Sequence, residues 1–92
     1  MIVRILTEGQ YDLPGQYLDE LNRLDNQIVD AVAEEDREKF HRLLEQMLDL
    51  VRQHGKPVPM EEIVESDLVL PEPDITLEEA EELFTGEGLV PG

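Results

Sequence analysis

The sequence predicts an α+β fold in which a small N-terminal β-hairpin or sheet packs on an antiparallel α-hairpin, with a short C-terminal helix completing it. Three observations predict this. A β-branched apolar run opens the chain, two long segments with helical apolar spacing follow one another, and a capping signal near the C-terminus announces a further helix.

Residues Ile2 to Leu6 are apolar except at Arg4, and Gln10 to Leu13 form a second short run after Thr7-Glu8-Gly9. Gly9 supplies the positive φ that a tight turn needs, so the two runs read as a hairpin covered by helices on one side. Pro14-Gly15 ends the second strand, and from about Gln16 to Ala33 the residues Tyr17, Leu21, Leu24, Ile28 and Val32 recur at helical spacing. Glu34-Glu35-Asp36 interrupts that helix, and Asp36 is placed to cap the next by accepting from an otherwise orphaned backbone N–H. Phe40, Leu43, Leu44, Met47, Leu48 and Val51 make the second stripe, which Gly55 closes with a left-handed cap before Lys56-Pro57. So short a connection forces the two helices to run antiparallel.

Burying these stripes contributes about 1.5–3 kcal/mol per large side chain, most of it offset by chain entropy, so the hairpin needs the sheet or a partner to cover its remaining apolar area. Beyond Gly55, Pro57, Pro59, Pro71 and Pro73 forbid a long regular element, while Ile63, Val64 and Leu68-Val69-Leu70 pack back as a turn and an extended strip. Thr76-Leu77-Glu78-Glu79 is a capping box with Ile75 and Ala80 as its staple. Leu77, Ala80, Leu83 and Phe84 form the inner face of the third helix, which Gly86 and Gly88 end, leaving Leu89-Val90 to return to the sheet edge. The whole chain, residues 1–92, reads as one domain.

The formal net charge is -16, from 23 Asp and Glu against 7 Lys and Arg. Such a surface repels nucleic-acid phosphates and anionic headgroups, and the basic residues, scattered from Arg4 to Lys56, form no patch to reverse that. A basic or amphipathic protein partner is expected instead. With no cysteine there are no disulfides, thiolate metal sites or Cys nucleophiles. The opening apolar run is too short for a signal sequence, and no stretch approaches the roughly 20 apolar residues of a membrane span. The expected protein is cytoplasmic and makes no direct membrane insertion.

Nothing in the residues singles out catalysis. His41 and His54 fit no ligand spacing; His41 with Glu45 reads as a solvated helix-surface pair, and His54 suits the carbonyl-rich end of its helix. The acidic clusters lack the alternating ligands and sharp glycine turn of a calcium loop and read as solvated faces. Thr76 is occupied by its cap, and Ser66-Asp67 reads as turn chemistry. The expectation is a protein without cofactor, metal or catalytic residues. Apolar residues at the stripe margins, Leu18, Val29 and Leu50, with the acidic connection Glu34, Glu35 and Asp36, are the candidates for partner binding.

Several segments in order carry a family resemblance: Met1-Ile2-Val3-Arg4-Ile5-Leu6 with Glu8-Gly9-Gln10-Tyr11, His54-Gly55-Lys56-Pro57-Val58-Pro59, Ser66-Asp67-Leu68-Val69-Leu70-Pro71, and Thr76-Leu77-Glu78-Glu79 with Gly88-Leu89-Val90-Pro91-Gly92. Together they resemble the PspA-associated family, PspAA, across essentially the whole chain. The resemblance implies an accessory or regulatory partner of PspA, the coiled-coil membrane-remodelling protein of the phage-shock envelope-stress response, recruited through PspA to the inner face of the membrane. It implies no catalytic residues. A self-associating structural module, a homo-oligomer without PspA binding, is the alternative; a ligand-binding or hydrolytic subunit using His41 and Glu45 is a third and weaker one.

Overall fold

In the computed structural model, residues 1–62 and 64–84 are described. Ile63 and the expected helix end at Gly86 and Gly88 with the returning Leu89-Val90 lie outside them.

The strands β1 (Ile2–Ile5), β2 (Gly9–Asp12), β3 (Lys56–Pro57) and β4 (Leu68–Leu70) form a mixed sheet in the order β3-β2-β1-β4. β1 pairs antiparallel with β2, Ile5 opposite Gly9, and parallel with β4, Arg4 opposite Val69. Side chains alternate across a strand, so Val3, Ile5, Leu68 and Leu70 are buried while Arg4 and Val69 share the outer face. In the β1–β2 turn, Glu8 N–H donates to Ile5 O at 3.0 Å. Gly9 takes φ 119° as its residue type allows, and Thr7 also adopts a positive φ, 76°, unusual for a β-branched residue.

A 3-10 turn, Gly15–Tyr17, leads into α1 (Leu18–Ala33), so the regular helix begins later than the sequence suggests. No side chain caps α1; the N–H of Leu18 is taken by Gly15 O of the preceding turn. Asp19 and Glu20 in the first turn offset the positive end of the helix dipole. At the other end, Glu35 N–H donates to Val32 O and Asp36 N–H to Ala31 O, each at 3.0 Å, the bond pattern of a Schellman motif. Its left-handed position, usually glycine, is occupied by Glu35 at φ 57°. Asp36 then caps α2 (Arg37–His54), its carboxylate accepting from Lys39 N–H at 3.1 Å.

The seam between α1 and α2 buries Leu21, Leu24, Ile28, Phe40, Leu44 and Met47 in one cluster with the inner face of the sheet. α3 (Leu77–Leu83) packs against α1, with Leu77, Ala80 and the following Phe84 buried. Its expected capping box is present: Thr76 Oγ1 accepts from Glu79 N–H at 3.1 Å while the Glu79 carboxylate receives Thr76 N–H at 3.3 Å. Leu83, expected on the inner face, is instead 45% exposed.

Gly55 ends α2, but not by the expected left-handed cap: its φ and ψ are -82° and 147°, ordinary extended backbone. Glycine is required there by space. A Cβ at Gly55 would lie 2.5 Å from Val51 O and 2.9 Å from Tyr11 Cβ, so the absent side chain lets the end of α2 turn directly against β2. Two substitutions are therefore expected to have opposite signs in urea denaturation. Gly55→Ala loses about 1–3 kcal/mol by overpacking. Glu35→Gly gains about 0.5–1 kcal/mol, the relief of left-handed backbone less the greater chain entropy of glycine.

Candidate partner-binding surface

The hairpin connection places Glu34, Glu35 and Asp36 together at one end of the α1–α2 pair, all exposed. They are not equivalent. Asp36 is used as the helix cap, and Glu34 pairs with Lys39 at 3.2 Å, whereas Glu35 makes no side-chain hydrogen bond or ion pair among the described residues. Leu18 and Val29 are half-buried against the core and keep some surface. Leu50 does not: it is 8% exposed and belongs to the core cluster. Three residues after Met47, it returns to that residue's buried face, so the surface role expected of it is corrected to a packing role.

Arginines tie the acidic periphery to the helices. Arg52 on α2 donates from Nε to Glu8 at 2.8 Å and from Nη2 to the other oxygen of the same carboxylate, and it also reaches Asp49 at 3.0 Å. These bonds hold the Glu8 carboxyl below its ordinary range and raise the Arg52 guanidinium. Glu45 faces Arg52 at 3.5 Å, so the expected His41–Glu45 pair gives way to this cluster. His41 has each ring nitrogen 3.0 Å from a carbonyl oxygen, Nδ1 from Arg37 and Nε2 from Ile75, joining α2 to the approach to α3. His54 stacks on Tyr17 with ring centroids 4.2 Å apart.

Two open clefts of about 510 Å³ each flank the sheet. One lies on the outer face between Arg4 and Gln10 and the segment Pro57 to Met60. There Gln10 Nε2 donates to Ser66 Oγ at 2.8 Å and to Val64 O at 2.9 Å, pinning the returning segment. The other runs from Leu6 to Leu83 beside α3, over the buried Ile75. Among the described residues, no three His, Asp or Glu side chains are grouped as a metal site. Nor is any helix among them long and apolar enough to cross a membrane.

Sequence reading passed over Asp25, which is fully buried on α1. Its position was the available signal, four residues after Leu21 and three before Ile28, where an apolar residue is the rule. It also missed the Arg52–Glu8 tie, since the two residues are 44 apart and neither carries a local motif.

Arg37 at the start of α2 binds Glu78 of α3 bidentately, at 2.7 and 3.1 Å. The Arg37 hydrogen bonds, helped by a backbone hydrogen bond at Glu78, lower the Glu78 carboxyl to about 2. A depressed folded-state value contributes stability that is complete above the ordinary glutamate value of about 4.3 and is lost as pH falls from there through the depressed one. In an NMR titration, Glu78 should return toward that ordinary range in Arg37→Gln; an unchanged midpoint would show that the guanidinium does not set it.

Among known proteins, the family described as PspA-associated protein matches residues 1–92. No curated protein and no solved structure matches the chain. With its whole length covered by that match, the chain belongs to the PspA-associated protein family, PspAA.

Proposed function

We propose that this protein is a non-catalytic accessory or regulatory factor that binds a PspA-like coiled-coil protein in the envelope stress response. The observation that carries the reading is the match of the whole chain to a family named for its association with PspA. The physical character of the molecule supports it. Exposed helix faces and the hairpin end are rich in carboxylates, and a net charge of -16 favours encounter with a basic helical partner over phosphate backbones or anionic lipid. Membrane contact then runs through the partner. The two histidines support the non-catalytic reading, since one is engaged by backbone carbonyls and the other by an aromatic ring.

Titration calorimetry of the full chain against the PspA encoded by the same organism tests the reading. Binding is expected at low ionic strength, weakening severalfold or more as salt rises and the Debye length falls from about 10 Å at 0.1 M to about 3 Å at 1 M. Absence of binding at low salt, or formation of a salt-insensitive homodimer that ignores PspA, rejects it.

A further inference from the structure

We propose that the groove beside α3 is a docking site for a cationic amphipathic helix, seated with its apolar residues on Leu6 and Leu83 and its Lys or Arg residues against Glu72 and Glu82. The apolar part of the groove comes first. Leu6 is 40% and Leu83 45% exposed, and these two large side chains line the same cleft over Ile75, which is 4% exposed. Leu83 lies three residues beyond the buried Ala80, so the apolar stripe of α3 continues from the core out into this groove.

The rim decides the occupant. Among the described residues, four carboxylates line the cleft and no basic side chain does. Glu78 is committed to Arg37, and Glu79 to the capping box. The side-chain carboxylates of Glu72 and Glu82 make no hydrogen bond or ion pair among the described residues, Glu72 accepting only through its backbone carbonyl, from Ile75 N–H at 3.2 Å. An uncharged apolar partner would strip water from these two carboxylates and leave them unpaired, at a high desolvation cost. A second copy of this chain would bring its own acidic field to the contact, and nucleic acid or an anionic membrane would bring phosphates. A helix with apolar anchors at i and i+3 or i+4 and flanking basic residues satisfies both the floor and the rim.

This inference rests on the proposed helix-binding role and adds its location, and one experiment separates the two. The full chain is titrated by fluorescence anisotropy with a labelled Lys/Leu helix of about 18 residues, with an isomer of the same composition whose leucines are dispersed, and with the cognate PspA. The variants are Leu83→Ser, the double reversal Glu72→Lys/Glu82→Lys, and the equal reversal Asp30→Lys/Glu61→Lys elsewhere on the surface, each checked for folding by circular dichroism. The expected result is a loss of about tenfold or more in affinity for the Lys/Leu helix in each groove variant, with about twofold or less in the distant reversal. Equal losses in both reversals, equal binding of the dispersed isomer, or unchanged binding in Leu83→Ser overturns the groove. So does self-association of the native chain that Leu83→Ser abolishes, because the groove then belongs to a second copy. If PspA binds the native chain and the groove variants alike, the location fails and the functional reading stands; if PspA never binds while the Lys/Leu helix does, the reverse holds.

Discussion

Burial of the seam between α1 and α2 is the interaction on which the rest of the fold depends. With no cysteine and 92 residues, the chain has only packing to offset its conformational entropy. The seam sets Leu21, Leu24 and Ile28 against Phe40, Leu44 and Met47, and the sheet closes the same cluster through Val3, Ile5, Leu68 and Leu70. The helical pair is inserted between β2 and β3, strands that neighbour each other in the sheet. The close approach at Gly55 then lets the chain leave α2 and pair at once with β2.

Cations are scarce in this molecule, and their placement shapes its surface. Arg37 holds α3 to the start of α2, Arg52 holds the β1–β2 turn to its end, and Lys39 braces the hairpin connection. Each exposed pair contributes little by itself. Their larger effect is geometric: they neutralise carboxylates where elements meet and leave others, such as Glu35, Glu72 and Glu82, uncompensated on the outside. A protein arranged in this way repels polyanions in general and presents an acidic surface with a few exposed leucine and valine side chains among the carboxylates.

That combination is what an accessory protein for a long helical partner requires. In the proposed role, long-range attraction would bring basic helices to the surface, while the apolar groove beside α3 would set where one of them rests. The Schellman motif at the hairpin end adds a second exposed acidic feature, with Glu35 in a backbone position that glycine would occupy at lower cost. The chain's membership of the PspA-associated family and its acidic, helix-flanked surface thus point the same way.

By itself the sequence determined much of what depends on near neighbours, though not the extended backbone at Gly55 or the 3-10 turn before α1. The two helices followed from residues three and four apart, the Asp36 cap and the Thr76–Glu79 box from side chains reaching their own backbone, and the opening hairpin from β-branched runs around Gly9. The Glu34-Glu35-Asp36 end of the hairpin was legible for the same reason. Tertiary structure decided what distant segments do to one another. It paired β4 parallel to β1, gave Lys56–Pro57 a strand partner, and moved Leu50 into the core. It also exposed Leu83 beside Leu6, which is 77 residues away, since 83 − 6 = 77. It made Gly55 necessary through the closeness of Val51 O and Tyr11 rather than through its own dihedral angles. Local periodicity records which side of a helix is greasy, but which neighbour covers that side, and where the covering stops, is set only when the elements pack.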